Sequence, residues 1–322
     1  MKVAIIGASG IGKQHVKWFS YEGCDVVAFA GRTEDGISST KTNLEKLFGF
    51  SGRGYTNIKA MLKKENPDIV VISTPSDLHY DHIVTALDYG ANVYCEKPFI
   101  WSSKLDVDKI LNSAREILSK SGRKNLLVGM NAQYVAAVFY YNKMRREFLG
   151  NLDNPSSFYF EMESKWNGKE IDYYDLLFDV LPHPISLLLE FFSYDRLLKE
   201  SLVLNINSME SILQFDFKDN FGNICPAKIV CRKINEGIPV RRFGVNGFIV
   251  DYNGRNDEQG VYSTYLNYKD SEFKYEDLMR ISIRGFIQAV KNKDPSLMFV
   301  SGEKACKNLE IQALIYKEIF KQ

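Results

Sequence analysis

Two hydrophobic periodicities alternate along the first part of the chain. Near-continuous apolar runs stand at residues 3–6, 26–30, 68–73, 92–95 and 125–129. Between them, apolar positions recur at helical spacing over residues 10–21, 38–48, 58–65, 78–89 and 104–119. Apolar runs without polar alternation mark strands buried on both faces of a parallel sheet. Strands alternating with helices of this length predict a doubly wound α/β domain with right-handed crossovers. This domain is expected over residues 1–125.

The pattern then changes. Helical spacing returns at residues 135–147 and 175–192. β-rich segments follow at residues 202–207, 212–217, 227–233, 242–245, 248–252 and 261–266. Asp219-Asn220, Asn253-Gly254 and Asn256-Asp257 are turn signals among them. Helices at residues 275–291 and 300–320 close the chain. Residues 126–322 are therefore expected to form an α+β domain with a large, mostly antiparallel sheet.

Composition narrows the classes of partner. Of 322 residues, 45% are hydrophobic and 25% charged, an ordinary globular balance. Forty-one Lys and Arg against forty Asp and Glu leave a formal net charge of +1, which argues against a nucleic-acid partner. No apolar run reaches the roughly 18–20 residues of a membrane span. The opening MKVAIIGASG lacks the apolar length of a secretory signal. Cys24, Cys95, Cys225, Cys231 and Cys306 have no C-x-x-C spacing, so no metal site is indicated. Reduced, buried thiols in a cytoplasmic protein are the expectation.

The chemistry starts at Gly7-Ala8-Ser9-Gly10-Ile11-Gly12, between the first predicted strand and helix. In the dinucleotide fingerprint G-x-G-x-x-G, the first glycine turns tightly and the second lets the pyrophosphate approach. The third lets helix and strand pack. Gly7 and Gly12 fit the first and third positions. Ser9 takes the second, with a hydroxyl able to donate to phosphate, and Gly10 keeps the loop flexible. Ile11 completes the candidate phosphate-binding residues. The triphosphate pattern G-x-x-x-x-G-K-[ST] also fits Gly7, Gly12 and Lys13, but Gln14 replaces the magnesium-holding hydroxyl. The loop alone leaves both readings open, beside that of a merely tight turn.

The second strand ends in Phe29-Ala30-Gly31-Arg32-Thr33. A dinucleotide fold that binds NAD usually puts Asp or Glu there for the ribose 2′-hydroxyl. Gly31 stands at that position and Arg32 follows, so a 2′-phosphate meets no carboxylate and has a guanidinium beside it. NADP is the expected preference, with NAD as the alternative.

Two further stretches carry a family resemblance. Thr74-Pro75-Ser76-Asp77-Leu78-His79 is followed by a predicted helix ending Ala86-Leu87-Asp88-Tyr89-Gly90. A short strand then leads into Glu96-Lys97-Pro98. This order resembles the T-P-x-x-x-H, A-L-x-x-G and E-K-P pattern of the glucose–fructose oxidoreductase, inositol 2-dehydrogenase and rhizopine-catabolism (Gfo/Idh/MocA) family. Val128-Gly129-Met130-Asn131 is similar to its V-G-x-N, though Ala132-Gln133-Tyr134 follow in place of the usual basic and aromatic residues. Asp179-Val180-Leu181-Pro182-His183 is similar to its D-x-G-x-H, with Leu181 for the glycine; the Gly-Gly usually preceding it is absent.

The resemblance implies an α/β Rossmann domain followed by an α+β domain for substrate binding and oligomerisation. It implies hydride transfer between NAD(P) and a hydroxyl or keto carbon of a sugar, cyclitol or sugar nucleotide, in a homodimer or homotetramer. Lys97, His183 and Asp179 are then the catalytic candidates. Lys97 follows a strand end, where open α/β sheets bind ligands, and Pro98 fixes the turn through a bond commonly cis in the family. Lys97 would hydrogen-bond the reacting oxygen. His183 would take the proton, since an unperturbed imidazole titrates near pH 6.5. Asp179, four residues earlier, would share a helical face with His183 if the helix reached back that far, although Pro182 and Pro184 suggest that it starts near residues 180–182.

Gly31, Arg32, Thr33, Thr74, Pro75, His79 and Glu96 complete the cofactor candidates, His79 orienting the nucleotide side and Glu96 binding the nicotinamide ribose. Asn131, Trp166, Tyr173 and Tyr174 are substrate candidates, the aromatic ones as surfaces for a sugar ring. His15 and His82 read as structural. Two other functions stay open: a ligand sensor that keeps the dinucleotide site without catalysis, and an imine or enone reductase.

Overall fold

The structure is a computed structural model describing residues 1–102, 106–166, 177, 179–207 and 209–320. The chain divides into two compact units, Met1–Ala132 with Met279–Leu309, and Gln133–Leu278 with Glu310–Gln322. No helix among the described residues is long and apolar enough to cross a membrane. All five cysteines are buried and none forms a disulfide.

The first unit holds six strands, β1 (Lys2–Ile6), β2 (Asp25–Ala30), β3 (Arg53–Tyr55), β4 (Ile69–Ile72), β5 (Asn92–Glu96) and β6 (Val128–Asn131), in the order β3-β2-β1-β4-β5-β6. Every neighbouring pair is parallel. β4 is buried throughout, as its unbroken apolar run requires. The five helices are α1 (Gly12–Tyr21), α2 (Glu34–Phe48), α3 (Ile58–Glu65), α4 (His79–Asp88) and α5 (Val107–Lys124).

Side-chain caps set the boundaries that periodicity alone misplaces. Thr33 Oγ1 accepts from the Gly36 amide at 3.2 Å, so α2 starts before the apolar pattern becomes visible. Asn125 sits in the left-handed region at φ 53° and ends α5, so β6 begins at Val128 and not at 125. β3 was not expected: it is three residues long with a central glycine. The helix Leu278–Asn292 brings Met279, Ile283, Phe286 and Ile287 into one apolar cluster with Phe19, Phe29 and Tyr94. Glu22 anchors it at the rim, accepting from Arg280 Nε at 2.6 Å and Arg284 Nε at 2.9 Å.

The second unit is built on eight strands, β7 (Phe158–Lys165), β8 (Tyr194–Ile206), β9 (Glu210–Asp219), β10 (Ile224–Ile234), β11 (Arg241–Val245), β12 (Phe248–Asn256), β13 (Tyr262–Tyr268) and β14 (Ser271–Glu276). Their order is β14-β13-β12-β11-β7-β10-β9-β8, with β7 and β10 parallel and the other pairs antiparallel. β7 and β14 were not expected from the sequence.

One turn signal misled. Asn253-Gly254 lies inside β12. A Cβ on Gly254 would sit 2.1 Å from Tyr262 Oη, so the glycine makes room for a ring laid across the strand. Asn246-Gly247, at φ 53° and 76°, forms the actual two-residue hairpin between β11 and β12.

The helices Val138–Leu149 and Pro182–Phe191 pack on this sheet through Tyr141, whose ring lies 5.0 Å from Phe191 and 5.6 Å from both Phe243 and Phe248. Tyr141 Oη accepts from the Val245 amide at 2.9 Å and donates to the Phe248 carbonyl at 2.7 Å, tying the helix to the hairpin. The Tyr141→Phe variant keeps the ring and strands a buried amide. It should lose about 1–3 kcal/mol in urea unfolding; a loss below a few tenths would mean that this pair of bonds does not hold the helix down.

Candidate active site

Because the first sheet is parallel, the carboxyl ends of β1, β2, β4, β5 and β6 all emerge at one edge. The strand order reverses between β1 and β4, and such a switch point opens a ligand crevice. The glycine loop leaves β1 there. Gly7 has φ 91°, and its amide donates to the Ala30 carbonyl at 2.9 Å. Ser73 Oγ, after β4, donates to the Gly7 carbonyl at 2.8 Å. A Cβ on Gly12 would sit 2.0 Å from that same oxygen, so α1 can start only from a glycine.

This close helix–strand approach is the work that the dinucleotide fingerprint gives its third glycine, and it favours that reading of the loop over the triphosphate one. Ser9, Gly10 and Ile11 are exposed, and among the described residues their amides donate to no backbone carbonyl. Three such amides before the N-terminus of α1 suit a diphosphate. The loop therefore fits a dinucleotide.

At the end of β2, Gly31 donates its amide to Tyr55, Arg32 is exposed, and Thr33 is occupied in capping α2. At the end of β4, Thr74 Oγ1 lies 3.2 Å from His82 Nδ1, and burial holds His82 below its ordinary pKa. Pro75 is exposed beside it.

The end of β5 is the most constrained part of the edge. Glu96 is 8% exposed. Its Oε1 accepts from His15 Nε2 at 2.7 Å and from Asn131 Nδ2 at 2.7 Å. Its Oε2 accepts from the Lys97 amide at 3.3 Å. The hydrogen bonds continue inward: Tyr94 Oη donates to Asn131 Oδ1 at 3.1 Å and lies 2.8 Å from Ser282 Oγ, which then serves as its donor. Burial works against a charged Glu96, but the His15 and Asn131 hydrogen bonds and the His15 and Lys97 charges outweigh it. They hold the carboxyl below its ordinary range. Burial pushes the Tyr94 phenol upward, so this hydroxyl stays protonated.

The Lys97–Pro98 bond is cis. His79, 1% exposed, closes the turn from behind. Its Nε2 lies 2.8 Å from the Thr74 carbonyl, and its Nδ1 lies 3.0 Å from the Pro98 carbonyl and 3.3 Å from Cys95 Sγ. A carbonyl only accepts. Carbonyl oxygens thus face both ring nitrogens, that of Thr74 at Nε2 and those of Pro98 and Phe99 at Nδ1, and each accepts from the nitrogen that carries hydrogen; the Cys95 thiol, which burial keeps protonated, donates to the Phe99 carbonyl.

The structure thus brings Glu96, Lys97, Asn131, Thr74 and His79 together with the glycine loop at one edge of one unit. Glu96 and Asn131 spend most of their hydrogen-bonding capacity on neighbouring protein groups. His15, Tyr94 and Ser282 were missed as parts of this network. His15 follows Gly12 by three residues in the first turn of α1, and that spacing is the only sign the sequence gives.

In the second unit, His183 is buried in the first turn of the helix Pro182–Phe191, with its ring edge-on to Tyr134 at 4.8 Å. Asp179 is exposed in the turn before this helix, so the offset of four does not put the two side chains on one helical face. Trp166 is 41% exposed just beyond β7. Tyr173 and Tyr174 lie outside the described residues.

Residues 1–119 match the model of an oxidoreductase family with an NAD-binding Rossmann fold. This part of the chain is thus similar to the Gfo/Idh/MocA family. Among curated proteins, the D-glucoside 3-dehydrogenase of Escherichia coli is 32% identical over 100 residues, which are 30% of this chain and 27% of that protein. An inositol 2-dehydrogenase/D-chiro-inositol 3-dehydrogenase of Lactiplantibacillus plantarum is 24% identical over 151 residues, 44% of this chain and 39% of that protein. The matched stretches make up between 16% and 39% of the first four curated relatives. The fold likeness spans the whole chain. UDP-N-acetylglucosamine 3-dehydrogenase from Acidithiobacillus ferrooxidans superposes with a TM-score of 0.72 at 16% identity, covering 100% of this chain and 99% of that one. A biliverdin reductase from Synechocystis, solved with biliverdin and NADP+, gives 0.67 at 14% identity, covering 98% of each chain.

The Glu96 network carries a pH signature. A carboxyl held below its unfolded value stabilises the fold fully above that value, near 4.5, and loses the contribution as pH falls toward the folded one. The Glu96→Gln variant presents an amide where donors converge. It should be about 1–3 kcal/mol less stable than the parent at pH 7. The gap should narrow progressively as urea unfolding is repeated below pH 4.5; a gap that does not change with pH would mean that Glu96 is not ionised in the fold.

Proposed function

We propose that the protein is an NAD(P)-dependent oxidoreductase that moves a hydride between nicotinamide and a hydroxyl-bearing or keto carbon of a sugar, cyclitol or sugar nucleotide. The observation that carries this reading is the Glu96-Lys97-Pro98 turn, pinned from both sides at the same sheet edge as the glycine loop. The dehydrogenase relatives support it.

The free amides of Ser9, Gly10 and Ile11 and the positive end of α1 bind the diphosphate. Gly12 allows that helix to start close beneath it. The bound dinucleotide supplies the hydride donor or acceptor. The Lys97 ammonium hydrogen-bonds the reacting oxygen and stabilises the charge it gains as its proton leaves. His183 takes the proton in oxidation and returns it in reduction, and Asp179 binds a neighbouring hydroxyl. Glu96, buried and anionic, fixes the Lys97 backbone. The assembly proposed is a homodimer or homotetramer.

The preference proposed is for NADP. Gly31 leaves the usual acidic position empty of charge, and Arg32 is exposed beside it. Fluorescence titration should show NADPH binding roughly tenfold tighter than NADH, in line with one charge-assisted contact, and Arg32→Ala should erase the difference. Tighter NADH binding would remove Arg32 from this role.

The catalytic roles are tested on a panel of sugars, cyclitols and sugar nucleotides with either cofactor. Lys97→Ala and His183→Ala should each lower kcat by about 10²–10⁴-fold while NADPH affinity stays within a few-fold. Turnover that survives both substitutions would sink the assignment. NADPH binding with no turnover on any member of the panel would favour a sensor.

A further inference from the structure

Arg241 and Arg242 are adjacent on β11, and strand alternation sends them to opposite faces of the second sheet. Arg242 meets its counter-charges: its Nε lies 3.0 Å from Asp251 and 3.7 Å from Glu161. Arg241 shares the other face with buried Phe243 and Val245. Its Nε is buried without a hydrogen-bond partner, and no described carboxylate forms an ion pair with it.

Its neighbours are hydroxyls. Carried one residue beyond the pairs Arg242–Asp251 and Phe243–Val250, the β11–β12 register sets Arg241 beside Tyr252. Tyr134 packs edge-on to Tyr252 at 4.9 Å and to His183 at 4.8 Å. Tyr262 lies across Gly254, two residues from Tyr252 on the same face of β12. Tyr134 and Tyr252 are buried, and no described residue forms a hydrogen bond with either hydroxyl. Arg241 is in electrostatic range of all three phenols, and Asp277 of Tyr252 and Tyr262.

A half-buried guanidinium without a carboxylate is costly to keep, and its planar donor fork matches an oxyanion. Around it stand hydroxyls that can also donate. From this arrangement we infer that Arg241, Tyr252 and Tyr262, with Tyr134, form an oxyanion subsite beside His183, so that the substrate is a sugar bearing a carboxylate or a phosphate. The inference narrows the substrate class of the proposed oxidoreductase and rests on the second unit being the one that binds substrate.

The test is calorimetric titration of the protein saturated with NADP+. The probes are D-glucose, D-glucuronate, D-glucose 1-phosphate and UDP-glucose. At least one charged probe should bind ten times more tightly than glucose or better. Which one it is separates a carboxylate from a phosphate or a nucleotide diphosphate. Arg241→Gln should abolish that preference while glucose and NADPH binding stay unchanged, and Arg241→Lys should restore part of it. A merely structural arginine would instead weaken all probes alike or none. If Arg241→Gln does not fold, Tyr262→Phe reads the same preference and should reduce it several-fold. The inference is overturned if no charged probe outbinds glucose, or if the preference survives in the variants. NADPH binding is read separately, so failure of the dinucleotide reading is distinguishable from failure of this subsite.

Discussion

Three donors converge on the buried Glu96 carboxylate: the His15 imidazole, the Asn131 amide and the backbone N–H of Lys97. A buried charge is tolerated only when its lone pairs are satisfied this fully, and each charge-assisted bond returns roughly 1.5–3 kcal/mol against the cost of desolvation. The consequence is positional. His15 belongs to the helix that the glycine loop starts, Asn131 ends β6, and Lys97 opens the cis turn. One carboxylate thereby ties the start of α1 beside the glycine loop, the end of β6 and the Lys97 backbone together. His79 performs the complementary task by stapling the Thr74 loop to Pro98 from the other side.

The second unit separates its two sheet faces by charge. Arg232, Glu161, Glu210, Arg242 and Asp251 neutralise one another on one face. The opposite face is filled by Phe160, Phe243, Val250 and Leu266 and continues to Tyr252 and to Arg241, with which no described carboxylate forms an ion pair. A sheet that pairs its charges so thoroughly on one side and, among the described residues, leaves Arg241 without an ion pair on the other fits the oxyanion subsite proposed above.

The sequence was most legible where local chemistry decides the structure. Buried strands such as β4 admit only apolar residues, and the cis turn needs its proline. Gly12 was readable because the fingerprint asks for a close contact there, and that contact exists. The His15–Glu96 pair was not readable, because its partners are 81 residues apart and meet only through the sheet order. Glu96 was expected at a ribose and Asn131 at a substrate; most of their donors and acceptors are instead used within the protein. Asn253-Gly254 read as a turn because the dipeptide's conformational freedom is visible in sequence, whereas the Tyr262 ring that needs the space is not. Asp179 and His183 kept a helical spacing without sharing a helix, since Pro182 starts the helix between them.

The central claim is that the arrangement built on Glu96 is a dinucleotide platform with Lys97 at its chemical end. A crystal structure of the protein with NADP+ tests it most directly. The account predicts the diphosphate on the amides of Ser9, Gly10 and Ile11, with the nicotinamide beside the Lys97 side chain. A nucleotide bound elsewhere, or one whose nicotinamide lies away from the Lys97 turn, would contradict it.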